Sequence, residues 1–285
     1  MLRQPRKIFA TLLAVLVLLS SSAMAASLVT VTMPESSFDI RQLDSKMTLS
    51  DALNAHPEIY DTFFIAPISD EEAHALIAQG EPVINTNDIS ASAFLSSLSA
   101  RKTLEEQTSN DRYVIGNQSK ASSSYGAAWS YISKTGTRPN CYGYAIGISS
   151  AYNPGGLSTG FISSGASLST IITKINSDMA AAFNGGAREI STNTTSIYSY
   201  EWRIALRTGS ALLWNGSYYE SVWDYHFWLQ TSTGTRCHKP GQLPSQHLGA
   251  VTPHTANWPL MDANGRVVLA NFYNSTTKYL AVFSA

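Results

Sequence analysis

Two short stretches carry side chains that could do covalent chemistry together. In Arg138-Pro139-Asn140-Cys141-Tyr142-Gly143-Tyr144-Ala145, Asn140 is a strong N-cap type, which puts Cys141 at the first position of a helix. The unpaired N–H groups and positive dipole end found there favour thiolate over thiol and could stabilise an oxyanion on a substrate carbonyl. In Asp224-Tyr225-His226-Phe227-Trp228-Leu229-Gln230, strand alternation sets His226 on one face with Asp224, Trp228 and Gln230. A thiolate nucleophile needs a base on a rigid element, and His226 supplies one. If Ser232-Thr233-Gly234 closes a hairpin, Thr231 meets Thr235 and Trp228 lies opposite His238. His238 then stands one diagonal step from His226, placed to orient its imidazole. The same register turns Cys237 to the other face, and a one-residue slip would reverse that.

The elements needed to hold these residues can be read around them. Cys141 to Ser150 is a short small-and-apolar run, expected to be a buried helix. Leu168 to Phe183 carries Ile171, Ile172, Ile175, Met179 and Phe183 at helical spacing and ends at Asn184-Gly185-Gly186. Strand patterns follow over Trp202 to Arg207, Ala211 to Trp214, Tyr225 to Thr231 and Thr235 to Lys239. Two more, Arg266 to Phe272 and Lys278 to Phe283, flank a turn at Asn274-Ser275. Upstream, Thr48 and Ser69 each cap a short helix, the first running toward His56 and Pro57, the second closed by Gly80. Ser90 to Glu106 predicts a third helix through Phe94, Leu95, Leu98 and Leu104. Helices first and an antiparallel sheet afterwards predict an α+β class.

Charge and aromatic content divide the chain. Ser27 to Arg112 holds 14 acidic and 5 basic residues, whereas Tyr113 to Ala285 holds 6 acidic and 11 basic. All six tryptophans lie in the second part. The expected organisation is an acidic helical segment over 26–112, a polar linker over 113–124 and a larger domain over 125–285. Ahead of them, Arg3, Arg6 and Lys7, an apolar run of about 12 residues and Ala23-Met24-Ala25 predict a cleaved signal peptide over 1–25. That run is too short for a membrane span, so the mature chain is expected to be secreted or periplasmic without stable membrane insertion. The net charge of −1 argues against a nucleic-acid partner held by bulk electrostatics.

Other readings compete for the same residues. Cys141 and Cys237 are the only cysteines, and an even pair in an exported chain reads by default as a disulfide. The spacing of His226, Cys237, His238, His247 and His254 fits no zinc pattern, and no cofactor or metal is expected. Asp262-Ala263-Asn264-Gly265 resembles the start of a calcium loop but reads as a turn. Tyr218, Tyr219, Trp223 and Trp258 flank polar loops and could contact a glycan, whereas Trp202, Trp214 and Phe227 read as core.

A cysteine opening a buried helix, followed 85 residues later by a histidine on an antiparallel strand, resembles the papain-like cysteine peptidase superfamily. Within it, Asn-Cys-Tyr-Gly-Tyr-Ala, Asp-Tyr-His-Phe-Trp and His-Lys-Pro-Gly are closest to the compact bacterial NlpC/P60-type domains. The resemblance covers about Tyr125 to Ala285. It implies Cys141 as nucleophile, His226 as base and His238 as orienter, with Asn271 as the alternative third residue. It differs in carrying Asn-Cys-Tyr-Gly for Asp-Cys-Ser-Gly, and Thr135 where a glutamine stands in papain itself. The implied activity is a cysteine peptidase or amidase acting on peptidoglycan stem peptides or protein. Charge complementarity and the linker suggest that the acidic segment covers the cleft as a propeptide, a binding or spacer domain being the alternative. The alternative is a non-catalytic module on the same scaffold that binds cell wall or glycan.

Overall fold

The computed structural model describes residues 38–98, 125–158, 160–261 and 266–285. The expected signal peptide, linker and 262–265 turn lie outside them. Helix starts follow the capping residues read from the sequence. Thr48 accepts from the Asp51 N–H ahead of α1, Leu49–Ala55, which is followed by α2, Glu58–Thr62. Ser69 does the same for α3, Asp70–Ala78, and Ser90 for α4, Ala91–Ser97. The predicted helix from Ser90 is shorter than expected among the described residues, because Leu98 is already extended. There the Ser96 and Ser97 hydroxyls donate back to the Ala93 and Phe94 carbonyls, competing for the acceptors that continue a helix. Two strands of three residues interleave with these helices: β1, Ile65–Pro67, and β2, Val83–Asn85.

The second part begins with α5, Cys141–Ile146, stopped by Gly147 at φ 80°, four residues before the expected end. It continues with α6, Leu168–Phe183, closed by Asn184 at φ 51° as its sequence predicts. Strands follow: β3 Gly186–Ile190, β4 Glu201–Trp214, β5 Tyr219–Gln230, β6 Arg236–His238 and β7 Gln246–Gly249. The last are β8 Leu260–Met261, β9 Val267–Leu269 and β10 Lys278–Phe283. The main sheet runs β3-β10-β4-β5-β6-β7, with β1 added to β5 and β2 to β4, and β8-β9 form a separate pair. The mixture of helices and a largely antiparallel sheet is the α+β class read from the sequence.

Two predicted strands, Trp202 to Arg207 and Ala211 to Trp214, are one continuous strand. Gly209 reads as a break, but it is where the Phe272 carbonyl crosses the strand: a Cβ there would lie 2.2 Å from that oxygen. The expected neighbours Arg266 to Phe272 and Lys278 to Phe283 part company. Only Val267–Leu269 of the first is a strand, and it pairs with β8, while β10 lies between β3 and β4.

The described residues all fall within one compact unit, Glu35–Ala285. β4 and β5 form a hairpin of 14 and 12 residues, longer than the later helices can cover. The N-terminal segment supplies the cover. β1 pairs with β5 from Ile65↔Val222 to Pro67↔Glu220, and β2 runs parallel to β4 from Val83↔Leu212 to Asn85↔Trp214. Leu49, Ile59, Phe63, Phe94 and Leu95 bury against Leu213, Val222, Trp228, Trp258 and Phe272 in one apolar cluster. Each such side chain, fully buried, stabilises the fold by about 1.5–3 kcal/mol. A second cluster covers the opposite face, where Tyr142, Ile171, Ile175 and Met179 meet Ile204, Leu206, Tyr225, Phe227 and Leu229. Among the described residues no helix is long and apolar enough to cross a membrane.

Candidate functional site

Cys141 occupies the first position of α5, as its sequence context predicts. The Asn140 side chain accepts from the Gly143 N–H at 2.9 Å and donates to the Tyr152 carbonyl at 2.7 Å, so the cap is fixed from both sides. Gly143 is required: a Cβ would lie 2.3 Å from the Ser150 carbonyl oxygen. The next turn is anchored by Asp178 of α6. Its carboxylate accepts from Tyr142 Oη at 2.9 Å, from the Gly155 and Leu157 N–H groups at 2.7 and 3.1 Å, and from Ser158 Oγ at 2.6 Å. Burial pushes the Asp178 pKa up while these four donors pull it down. Sequence reading passed over Asp178 because it stands as one polar residue in an apolar helical stripe.

Helix α5 packs at a particular place on β5. Strand β1 covers Glu220 to Val222 and β6 covers Trp228 to Gln230. Among the described residues, those between them are strand-paired only toward β4. Cys141 Sγ donates to the carbonyl of Tyr225 in that stretch, at 3.7 Å. Cys141 is wholly buried and His226 is 2 % exposed.

The hairpin register is the one the sequence predicts: Trp228 pairs with His238, and the Thr231 N–H donates to the Thr235 carbonyl. It brings His226 Nε2 to 2.7 Å from His238 Nδ1, and His238 Nε2 to 3.2 Å from Gln246 Oε1. The amide oxygen can only accept, so His238 carries its proton on Nε2 and offers the Nδ1 lone pair. His226 must therefore donate from Nε2, which leaves its Nδ1 as a lone-pair acceptor. That atom is buried without a hydrogen-bond partner. Burial, with the charge of His238 second, holds the His226 pKa well below the usual histidine value. His238 is pushed down to about 4, chiefly by burial. Both rings are neutral at neutral pH.

The thiol and the His226 ring are not hydrogen-bonded to each other. Alternation along β5 places Tyr225 and Phe227 with Cys141 in one apolar layer and His226 with Trp228 on the other side. Tyr273 links the two regions. Its ring lies 5.0 Å from that of His226, its hydroxyl donates to Asp224 Oδ2 at 2.7 Å, and it lies within electrostatic reach of Cys141. Asn271, the alternative third residue, is an exposed turn residue at φ 70°, and His238 holds the place beside His226.

Lys239 lies in the His-Lys-Pro-Gly stretch, yet sequence reading gave it no role. It is fully buried, and its Nζ donates to the Gly241 and Leu243 carbonyls at 3.3 and 2.8 Å. Burial pushes its pKa down to about 8, and the charge of Cys141 acts in the opposite sense. Cys141 and Cys237 are not joined by a disulfide. Cys237 Sγ donates to the Leu229 carbonyl and receives the Tyr144 hydroxyl, and burial pushes its pKa up to about 11. Among the described residues no group of three or more His, Cys, Asp or Glu could hold a metal ion. Trp223 and Trp258, read as candidate glycan contacts, are 9 % and 7 % exposed, and Tyr218 is 41 % exposed.

The N-terminal segment reaches the margins of this region at two points. The Trp223 N–H donates to the Phe64 carbonyl, and the Gln242 N–H donates to the Ser96 carbonyl. No family model, no curated protein and no solved structure matches this chain.

Proposed function

We propose that the chain is an exported thiol-dependent hydrolase of the papain-like, NlpC/P60-type kind. Cys141 is the nucleophile, His226 the base and His238 the residue that orients the base. One observation carries the reading. The directed series Gln246–His238–His226 fixes the tautomer of His226 and leaves Nδ1 as a buried lone pair on the residue next to Tyr225, whose carbonyl holds the Cys141 thiol proton. A buried base with a fixed tautomer and no competing partner is what a thiol needs in order to ionise toward it.

In the proposed reaction a rearrangement first brings the Cys141 thiol, which here faces the other side of β5, to His226 Nδ1. The proton then passes to that nitrogen and the sulfur attacks an amide carbonyl. The positive end of the α5 backbone dipole, at Cys141, favours both the thiolate and the oxyanion. The amine leaves with the proton from His226. Water, deprotonated by the same nitrogen, then hydrolyses the thioester. Peptidoglycan stem peptides and proteins both offer such amides. Because Cys141 and His226 are buried, catalysis requires an opening. In this reading the N-terminal segment does the gating, supported by its contacts through Phe64 and Ser96 at the site margins, and cleavage between 99 and 124 would release it.

The full burial of Cys141 also favours a second reading, a non-catalytic module in which the thiol is a core group and exposed aromatics such as Tyr218 hold a glycan. Amine release from peptide and peptidoglycan substrates, before and after cleavage between 99 and 124, separates the two. The hydrolase reading requires turnover that Cys141→Ala and His226→Ala each abolish. Glycan binding without thiol-dependent turnover would replace it.

A further inference from the structure

Arg236, at the start of β6, is 2 % exposed, and both its terminal nitrogens, Nη1 and Nη2, are buried without a hydrogen-bond partner. It pairs across the sheet with Gln230 of β5, whose Oε1 accepts from Arg203 Nη1 of β4 at 2.9 Å. Arg203, Gln230 and Arg236 thus form one polar row across three adjacent strands. The ring of Tyr279, from β10, lies 6.0 Å from the Arg236 guanidinium, and the Tyr279 hydroxyl is held by His254 Nδ1 at 2.6 Å.

Among the described residues, the charges around Arg236 do not balance it. The groups acting on it are Tyr279, Arg203 and Cys237, and only Arg203 is ionised at neutral pH. Glu201, on the same side of the sheet, is bound through both oxygens to Arg188, at 2.8 and 2.7 Å. Burial lowers the Arg236 pKa only to about 10, so the guanidinium stays charged. A buried charge with unmet donors is among the most costly arrangements a fold can hold, and it is relieved by an opposite charge that accepts its hydrogen bonds. The two terminal nitrogens form a planar fork that matches the oxygens of a carboxylate or phosphate.

We propose that Arg236, with Arg203 and Gln230 beside it and Tyr279 over it, is a binding site for one anionic oxygen group, a carboxylate or a phosphate. His238 is two residues along β6 on the same face, so a bound anion would lie next to the histidine pair. The site stands independently of whether Cys141 is a nucleophile, and its test uses no turnover.

The test is thermal unfolding of the full chain titrated with sodium phosphate, and separately with sodium acetate, at ionic strength held constant with sodium chloride. The wild type should show a saturable rise in melting temperature with at least one anion. Phosphate alone would identify a phosphate site, acetate alone a carboxylate site, and both a site that reads charge rather than shape. Arg236→Met should lose the response and, without added anion, melt no lower than the wild type, because the unpaired charge is gone. Arg236→Lys keeps the charge but not the fork and should raise the midpoint concentration about tenfold or more. No saturable response in the wild type would overturn the proposal, as would an unchanged response in Arg236→Met. If Arg236→Met melts well below the wild type or fails to fold, the lysine variant decides: an unchanged midpoint there rejects the site.

Discussion

Cys141 and Cys237 are alike in most respects. Both are buried in the same apolar layer, and each donates its thiol proton to a backbone carbonyl of β5 at 3.7 Å, Cys141 to Tyr225 and Cys237 to Leu229. They differ in what else surrounds them. Cys237 sits within β6, paired with β5 on one side and β7 on the other, and its thiol is held protonated by burial. Cys141 opens a helix against the stretch of β5 between β1 and β6. There the buried Lys239 ammonium and the Tyr273 hydroxyl lie within electrostatic reach, and the neighbouring residue His226 carries an unpartnered lone pair. Burial alone therefore does not decide what a thiol can do; the charges and dipoles that meet it inside the fold do.

The sharpest way to break this comparison is to exchange the roles of the two residues. Cys141→Ala should lower amide turnover by about 10³-fold or more, while Cys237→Ala leaves it within about twofold in the same peptide assay. Equal losses would mean that neither thiol is the nucleophile.

Next in size is the anchor under Cys141. Asp178→Ala strands the Tyr142 hydroxyl, the Ser158 hydroxyl and two backbone N–H groups, which should cost about 3–5 kcal/mol. Urea unfolding followed by circular dichroism measures it, and a loss below about 1 kcal/mol would remove Asp178 as the anchor.

The histidine pair gives a pH signature. The folded pKa of His238, about 4, lies below its ordinary value of 6.5. Between those values the unfolded chain binds a proton that the folded chain refuses, so stability is present near neutrality and falls as pH drops through that window. His226, shifted in the same direction, adds to the fall. The His238 share approaches about 3 kcal/mol near pH 4. His238→Gln should flatten the acid limb of urea midpoints measured from pH 7 to pH 4.5, and an unaltered slope would contradict the neutral pair. The smallest effect expected is on the stability of Cys237→Ala, about 1–2 kcal/mol from a small buried void and one lost sulfur contact to Tyr144.

Much of the local structure was legible in the residues. Thr48, Ser69, Ser90 and Asn140 each cap a helix through a side-chain oxygen, because that preference depends only on the adjacent backbone. The hairpin at Ser232-Thr233-Gly234 fixed its own register, and with it the meeting of His226 and His238. What could not be read was long-range. β1 and β2 are too short to show a period and exist because β5 and β4 offer them partners. Charge and aromatic asymmetry suggested two units, yet the acidic segment is a layer over the same sheet, since composition reports on surface and core content rather than on strand pairing. Arg236 gave no signal either, because a basic residue in an alternating strand reads as solvent-facing until both of its faces are covered.

The most direct test of the central claim is the rate of Cys141 alkylation by iodoacetamide against pH, in a Cys237→Ala background so that one thiol is read, before and after cleavage between 99 and 124. A nucleophile paired with His226 predicts rapid labelling of the cleaved protein that persists below the ordinary thiol pKa of about 8.5 and slows sharply in His226→Ala. Labelling that follows ordinary thiol ionisation in both forms, at the same rate without His226, would contradict the hydrolase account.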